Sequence, residues 1–156
     1  MDITICRVDE SQAEEVRRIM RQAFEEYRHV LVPLSGALGE TTEAVMASIR
    51  CGGAFLAYID DVAVGSARYR IFADHSYLER VSVLPEYRGK GVAGALMAAF
   101  ECVTLELQLP EARLGVRTAL PNNVLFYQKR GYQEFSRKPY PQSTDVNVVM
   151  SKRLWA

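Results

Sequence analysis

Neither sign of charge dominates this sequence, and it contains no long apolar run. Its 19 lysine and arginine residues balance 19 aspartate and glutamate residues, so the formal net charge is zero. Proteins that follow the phosphates of a nucleic acid normally carry a basic excess, so we expect no nucleic-acid partner. The longest apolar candidates without a charge, residues 30–39 and 91–100, are much shorter than the roughly 18 residues of a membrane span, so we expect no membrane partner either.

Cysteine is also scarce. Cys6, Cys51 and Cys102 are odd in number and form no C-x-x-C pair, which argues against a disulfide framework and against a zinc site. We therefore expect reduced, buried packing cysteines and no metal. The first ten residues lack a basic segment followed by an apolar one, so no export signal is expected and the sequence predicts a cytoplasmic location.

What the sequence does contain is ample core material for one domain. With 156 residues, of which 49% are hydrophobic and 24% charged, it predicts a single globular domain over residues 1–156. Hydrophobic periodicity and turn residues predict the element order β-α-α-β-β-β-α-β-α-β-β. Residues 77–118 read as strand, helix and strand, which predicts one parallel, right-handed βαβ crossover in a mixed α/β sheet.

Several element boundaries follow from single residues. Asp9 to Ser11 should cap the first helix, and Thr41 or Thr42 the second. Residues 60–61, Asp-Asp, predict a tight hairpin. The long helix after the glycine-rich segment should end at Pro110. Its apolar stripe is Val92, Leu96, Phe100, Val103 and Leu107.

Three glycines lie between a predicted strand and this long helix, in the segment Arg88–Gly94 (RGKGVAG). Unpaired backbone N–H groups at a helix start, together with the helix dipole, bind anions, and Arg88 and Lys90 would strengthen such a site. The segment therefore predicts a phosphate site. A glycine-rich helix entry without a ligand is the alternative.

The same glycines match G-x-G-x-x-G, the fingerprint of dinucleotide-binding folds. Here, however, residues 85–87 separate the strand from the loop, and the strand that ends at Thr118 offers no acidic residue for a ribose. Only one βαβ unit is predicted, and no G-x-x-x-x-G-K-[ST] loop occurs. A dinucleotide- or nucleotide-binding protein is therefore disfavoured.

Two segments resemble the signature motifs of the GCN5-related N-acetyltransferase (GNAT) superfamily. In residues 85–93 (PEYRGKGVA), Arg88, Gly91 and Ala93 match the family's loop R/Q-x-x-G-x-G/A. Residues 120–132 (LPNNVLFYQKRGY) are similar to its second motif, in which an Asn is followed by Tyr, Gly and an aromatic residue. Because each motif lies in the element that the family predicts, the pair is more specific than either motif alone.

The resemblance implies the GNAT fold, a mixed and mostly antiparallel sheet flanked by helices, with acetyl-CoA as cosubstrate. It implies that the backbone of residues 81–83 pairs with the pantetheine arm as a further strand would, and that the glycine loop holds the pyrophosphate. The implied cofactor-binding residues are Val81, Ser82, Val83, Arg88, Gly89, Lys90, Gly91, Val92, Ala93, Gly94, Asn123 and Tyr127.

Acetyl transfer to an amine also needs a proton for the departing thiolate and a donor for the oxyanion. Tyr127 is the candidate acid, because a phenol near pKa 10 is close to a thiol near 8.5. The alternative is a core aromatic residue beside Phe126. A main-chain N–H near Val83 is the expected oxyanion donor. Cys102 lies on the wrong element for a nucleophile, so direct transfer in a ternary complex is expected.

The second catalytic candidate is Glu79, as a base that acts directly or through water. Strand alternation places Glu79 on the same face as residues 81 and 83, close to the expected cofactor strand. The alternative is an ordinary ion pair with Arg68, Arg70 or another neighbour. His75 and Asp74 are the next candidates, although both suit a solvated turn.

These inferences predict an N-acetyltransferase of the EC 2.3.1 class that acetylates a primary amine. The resemblance places the acceptor between residues 28–40 and 137–147, and the apolar character of the first segment favours a small molecule. Glu25, Glu26, Glu40 and Glu43 keep a protein or peptide amine open as the acceptor. A catalytically weak acyl-CoA-binding regulatory module is the other alternative, and a homodimer is left open.

Overall fold

The computed structural model describes residues 2–155, so the two ends of the expected domain, residues 1 and 156, lie outside the described residues. Seven strands form one sheet in the order β1-β2-β3-β4-β5-β7-β6. The strands are β1 (Ile3–Val8), β2 (Gly52–Ile59), β3 (Val62–Ile71), β4 (Ser76–Val83), β5 (Glu111–Arg117), β6 (Gln133–Pro139) and β7 (Val146–Arg153). The helices are α1 (Ala13–Phe24), α2 (Thr42–Arg50), α3 (Val92–Glu106) and α4 (Pro121–Gln128).

Pairing in the sheet confirms the predicted topology. Among the strands of residues 2–155, β4 and β5 form the one parallel pair, and every other neighbouring pair is antiparallel. Helix α3 connects β4 to β5 as the crossover. The fold is therefore the expected mixed, mostly antiparallel α/β sheet with one βαβ unit.

Helices cover both faces of the sheet and enclose two hydrophobic clusters. On one face, α3 contributes Leu96 and Phe100, which pack with the strand residues Leu78 and Leu114. On the other face, α1 and α2 supply the cluster that includes Val16, Ile19, Met20, Val45 and Ile49. The apolar stripes that predicted these helices thus form the core on either side of the sheet.

Several predicted boundaries are confirmed in atomic detail. The Thr41 hydroxyl caps α2 by accepting from the N–H of Ala44 at 3.1 Å. The Asp9 carboxylate accepts from the N–H of Ser11 at 2.9 Å, but it caps a short 3₁₀ turn over residues 10–12 that leads into α1, and α1 itself has no side-chain cap. In the hairpin between β2 and β3, residues 60 and 61 have φ of 49° and 64°. Left-handed backbone at both central positions matches the twist of the flanking strands.

The predicted end of α3 at Pro110 is wrong. The helix ends earlier because Gln108 adopts a left-handed conformation with φ of 60°. The N–H of Leu109 then donates to the C=O of Thr104 at 3.1 Å, which closes the helix in the manner usually associated with glycine. The last predicted stripe residue, Leu107, consequently lies beyond the helix and is 41% exposed.

The prediction of buried cysteines is also wrong. Cys51 and Cys102 are exposed and Cys6 is half-buried; all three are free thiols. Cys51 follows the last turn of α2, and Cys102 lies on the solvent side of α3 between core positions. Within residues 2–155, no group of three or more His, Cys, Asp or Glu side chains is placed to hold a metal ion, and no helix is long and apolar enough to cross a membrane.

Candidate active site

The two parallel strands pair at one end and then separate. Residues 76–78 of β4 pair with residues 112–114 of β5. Beyond that point β4 continues beside β3, and β5 continues beside β7. The edge of β4 that faces β5 therefore has no strand partner from Glu79 to Val83 within the described residues. Its backbone donors and acceptors can pair with a ligand.

A cavity of about 420 Å³ lies where the strands part. It is bounded by the free edge of β4, the glycine loop with the first turn of α3, the end of α1, and α4. Of the predicted cofactor residues, Lys90 is exposed and does not line this cavity. The structure does bring together Val81, Ser82, Val83, Arg88, Gly89, Gly91, Val92, Ala93, Gly94, Asn123 and Tyr127 on its wall.

The glycine loop combines open space with free donors. Gly89 and Gly91 have φ of 73° and 91°, a conformation that side chains disfavour. A Cβ atom at Gly89 would meet nothing within 4 Å, and at Gly91 the nearest atom would be Cδ1 of Ile3 at 3.9 Å. The first N–H bonded within α3 is that of Ala95, which donates to Gly91 at 3.0 Å, so the preceding N–H groups point out of the helix start. These residues fit a pyrophosphate.

The guanidinium of Arg88 is already engaged by protein groups. It donates to the C=O of Val83 at 3.2 Å and to the C=O of Ala23 at 3.1 Å, and it forms an ion pair with Glu26. Arg88 thus ties the end of α1 to the end of β4. Its side chain borders the cavity mainly as a brace for the two elements that form it.

Arg130 supplies a positive charge that the sequence analysis missed. Its guanidinium stacks on the ring of Phe126, 3.8 Å from the centroid. It also covers the first turn of α3, since a Cβ atom at Gly94 would lie 2.6 Å from its Nη2. Arg130 lines the same cavity as the glycine loop. It lies between the tyrosine and the glycine of the second motif, where the motif specifies only a polar residue.

Tyr127 and Asn123 lie on one face of α4, because residues four apart align on a helix. The Tyr127 ring packs edge-on against Phe126 at 5.2 Å and Tyr132 at 6.3 Å between centroids. Burial raises the pKa of the Tyr127 hydroxyl to about 12, although the nearby charge of Arg130 opposes this shift. The phenol therefore holds its proton throughout the neutral range.

A second cavity of about 330 Å³, which we call the acceptor chamber, adjoins the first. Segments 31–36 and 140–147 contribute to its wall, as do β4 and β5. These are parts of the two segments that the resemblance implied for the acceptor. The walls of the two cavities share Phe24, Val81, Leu120, Asn123 and Tyr127.

The predicted orientation of Glu79 is wrong. Arg80 has φ of 56°, and the pairing of β4 with β3 shifts register at this point, which is a β-bulge. The extra residue breaks the alternation of side chains, so Glu79 lies on the α2 side of the sheet. Val81 and Val83 pack instead against the core under α3.

On its own face, Glu79 has two partners and access to the acceptor chamber. The Ser48 hydroxyl donates to its carboxylate at 3.2 Å, and Arg70 pairs with it at 3.3 Å. The ion pair that we gave as the alternative is therefore present. Glu79 also lines the acceptor chamber, so the pair does not remove it from reach of an acceptor.

His75 and Asp74 lie elsewhere. They occupy the turn between β3 and β4, where their side chains bond to each other at 2.7 Å. His75 stacks on Phe72 with 4.7 Å between centroids. Neither residue lines either cavity, which leaves Glu79 as the candidate carboxylate. The chamber also contains Tyr77, Arg80 and Arg117, which sequence reasoning missed. Arg70, predicted only as an ion-pair partner, lines it too, as do Tyr140 and Asn147 of the implied acceptor segment.

Comparisons of the sequence identify relatives. A family model described as an acetyltransferase (GNAT) domain matches residues 51–134. YyaT, an uncharacterized protein of Bacillus subtilis (strain 168), is 28% identical over 145 residues, which cover 93% of this chain and 91% of the relative. The uncharacterized N-acetyltransferase YjcF of the same organism is 33% identical over 96 residues, which cover 61% of this chain and 66% of the relative.

Solved structures share the fold over the full chain. PaiA N-acetyltransferase from Thermoplasma acidophilum, in complex with coenzyme A, superposes with a TM-score of 0.80 at 20% identity, covering 98% of this chain and 99% of that chain. Ard1 from Thermoplasma volcanium gives 0.81 at 22% identity and covers 100% of both chains. The family model spans more than half of the chain and includes both motifs. The chain therefore belongs to the GNAT family and is an N-acetyltransferase.

Proposed function

We propose that this enzyme transfers the acetyl group of acetyl-CoA to the primary amine of a small molecule, by direct attack within a ternary complex. The observation that carries the proposal is the junction of the two cavities at Tyr127, Asn123 and Val81. Groups bound on either side of this junction would be adjacent, which is what a direct transfer requires.

The first cavity is the site that we assign to the cosubstrate, which supplies an activated acetyl thioester when bound. The free edge of β4 at residues 81–83 would pair with the pantetheine arm. The glycine loop and the start of α3 would receive the pyrophosphate, and Arg130 would add positive charge. A structural neighbour in complex with coenzyme A supports this assignment.

Tyr127 is the proposed general acid. Tyr127 lines both cavities, and its raised pKa of about 12 keeps its hydroxyl protonated. The apolar surroundings that raise this pKa would also raise the basicity of a departing thiolate, so the two groups stay close enough for proton transfer. A main-chain N–H near Val83 is the proposed donor to the developing oxyanion.

Glu79 is the proposed base, acting on the ammonium of the acceptor directly or through water. Its carboxylate lines the acceptor chamber on β4, and the partners Ser48 and Arg70 fix its position. A carboxylate there also attracts a cationic amine before it loses its proton.

The acceptor chamber favours a small molecule over a basic peptide. A basic peptide would require an acidic groove, but Glu43 does not line the chamber and the other three candidate glutamates already have partners. Glu25 pairs with Arg28, Glu26 with Arg88, and Glu40 with Arg68 and Arg80. The volume of about 330 Å³ and the apolar residues Leu31 and Leu34 suit a compact molecule.

The test is release of coenzyme A from acetyl-CoA with a panel of amines, amino acids and lysine peptides. We expect turnover with at least one small amine and protection from thermal unfolding by coenzyme A but not by NAD. Binding of acetyl-CoA without turnover of any amine would instead identify a regulatory module. Faster turnover of peptides than of every small amine would identify a peptide acetyltransferase.

A further inference from the structure

Arg117 lines the acceptor chamber, and three contacts hold its guanidinium while one of its nitrogens is left unpaired. Its Nε donates to Asp145 at 2.6 Å, and its Nη1 donates to the C=O of Pro33 at 2.7 Å. The ring of Tyr140 lies 4.2 Å from the guanidinium carbon. Rotation of the side chain would break all three contacts, so the direction of its remaining donor group is fixed.

That remaining group, Nη2 of Arg117, is buried and has no hydrogen-bond partner within residues 2–155. Nε of Arg70, on the same chamber wall, is buried without a partner as well. A buried guanidinium N–H without an acceptor costs free energy, so such groups in a cavity wall point to a ligand that completes them.

The charged residues around the chamber carry a small positive excess, which favours an anionic ligand. Arg70, Arg80 and Arg117 line it, whereas Glu79 is the one carboxylate among its lining residues. Glu40, behind the wall, is shared between Arg80 and the buried Arg68. Each arginine that lines the chamber has one carboxylate partner, namely Glu79 for Arg70, Glu40 for Arg80 and Asp145 for Arg117. Because Glu40 also pairs with Arg68, four arginines stand against three carboxylates, and this excess of one positive charge would stabilise an anion.

We propose that the acceptor of this enzyme is a small amine that also carries an anionic group, a carboxylate or a phosphate, and that Nη2 of Arg117 binds this group. The inference rests on the proposed function and narrows its substrate class. Because Nε and Nη1 of Arg117 already have partners, only its Nη2 can donate to the anionic group. Nε of Arg70 supplies the second hydrogen-bond donor. Asn147 and Tyr77, which converge on Gly115 in the chamber wall, are further polar groups for the same ligand.

The first experiment uses the unmodified enzyme and matched acceptors. Leucine is compared with leucinamide, 4-aminobutanoate with 4-aminobutanamide, and phosphoethanolamine with ethanolamine, each kcat/KM being corrected for the fraction of neutral amine. We expect at least one anionic acceptor to exceed its neutral partner by about tenfold or more. Equal or better turnover of all the neutral partners would overturn the proposal, and the better of the two anions identifies the group.

The second experiment is Arg117→Lys, with Arg113→Lys as its matched control. Arg113 lies on the same strand, pairs with Glu111 at 2.7 Å and stacks on Phe135 at 4.2 Å, but it does not line the chamber. Lysine at 117 can still pair with Asp145 but cannot present the fixed Nη2. The anionic-to-neutral ratio should fall about tenfold in Arg117→Lys and stay unchanged in Arg113→Lys. An unchanged ratio in a folded Arg117→Lys would refute the assignment.

A binding measurement separates this inference from the proposed function. N-acetylleucine and N-acetylleucinamide are tested for protection of the unmodified enzyme against heat in the presence of coenzyme A. Stronger protection by the acid supports an anion site even if no acceptor turns over, whereas equal protection rejects it. Failure of the proposed function alone would appear as absent turnover with the preference for the acid retained.

Discussion

At the scale of single residues, burial of Tyr127 keeps its phenol protonated, so the residue can act as a proton donor. A pKa of about 12 means that the hydroxyl does not ionise during normal turnover. It can donate a proton and is a poor base. The alkaline side of a pH–rate profile should therefore show no ionisation of Tyr127 below about pH 10.

The first prediction is that Tyr127→Phe lowers turnover about a hundredfold, because loss of the hydroxyl removes the proton donor while the ring keeps its packing. The KM for acetyl-CoA should change little. The control is Tyr132→Phe, which removes a hydroxyl that donates to Glu101 at 3.0 Å outside both cavities. Steady-state kinetics decide, and full turnover in Tyr127→Phe would exclude the acid role.

The second prediction concerns Glu79→Gln. Turnover should fall at neutral pH and recover in part at high pH, where the amine loses its proton without help. Glu111→Gln is the control, since Glu111 also pairs with an arginine, Arg113, but lies outside the chamber. If the Glu79→Gln profile runs parallel to that of the unmodified enzyme, Glu79 has a structural role only.

The sequence could predict the site residues that lie within local motifs. Tyr127 and Asn123 follow from the resemblance of residues 120–132 to the second GNAT motif, and the glycine loop follows from its place before α3. The sequence could not predict Arg117, because Asp145 and Pro33, the partners that fix it, are 28 and 84 residues away along the chain. Such contacts form only when the tertiary fold is complete.

At the scale of elements, the glycine loop depends on backbone conformation as well as on space. Gly91 has φ of 91° and borders the cavity. Gly131, which closes the turn after α4, has φ of 92° and lies outside both cavities. The two glycines allow the strain of a substitution to be separated from its effect on ligand binding.

The third prediction is that Gly91→Val weakens coenzyme A binding by tenfold or more, because the side chain occupies the space next to the free N–H groups. Gly131→Val should lower thermal stability to a similar extent without this loss, since it imposes the same backbone strain. Calorimetric titration with coenzyme A measures the affinities of the folded variants, and thermal unfolding measures their stabilities. Equal coenzyme A affinities of the two variants would show that this loop does not bind the pyrophosphate.

The strand and helix positions were largely predictable, and the failures have local causes. Periodicity located α1 and α3, and Asp60 and Asp61 located the hairpin. The bulge at Arg80 carries no glycine or proline, and Gln108 ends α3 where glycine is the usual signal. Non-glycine residues with positive φ are held there by surrounding contacts, which single-sequence patterns do not contain.

At the scale of the whole molecule, one buried ion pair joins distant parts of the acceptor chamber. Asp145 accepts from Arg117 on β5 and from Thr118, and Arg117 donates to Pro33 in the segment before α2. Burial by itself raises the pKa of Asp145, but the hydrogen bonds from Arg117, Ala119, Thr118 and Val146 together lower it below its ordinary value of 3.8.

The fourth prediction follows from this shift. Because the unfolded chain takes up the proton at a higher pH than the native protein, the free energy of unfolding decreases as the pH falls below about 4. Asp145→Asn should destabilise the protein by about 3 kcal/mol at pH 7 and show a weaker decrease in acid. Glu134→Gln, in an exposed pair with Arg137, should have little effect. Urea unfolding between pH 2.5 and 7 tests both variants. If the free energy of unfolding falls with pH equally steeply in Asp145→Asn and in the unmodified protein, the assignment is contradicted.

The single domain over residues 1–156 and the cytoplasmic location stay predictions at this scale. One cooperative unfolding transition by calorimetry and by fluorescence would support the first.

The bulge in β4 separates a first half of the strand, which contacts one cavity through side chains, from a second half, which contacts the other cavity through its main chain. Before the bulge, Tyr77 and Glu79 present side chains to the acceptor chamber, whereas residues 81–83 offer their backbone edge to the first cavity. Main-chain recognition places few demands on residue identity. Substitutions in the first half of β4 can therefore change which acceptor amine the enzyme takes, while the second half still binds the same acetyl donor. This makes β4 a suitable place to change the acceptor specificity by mutagenesis.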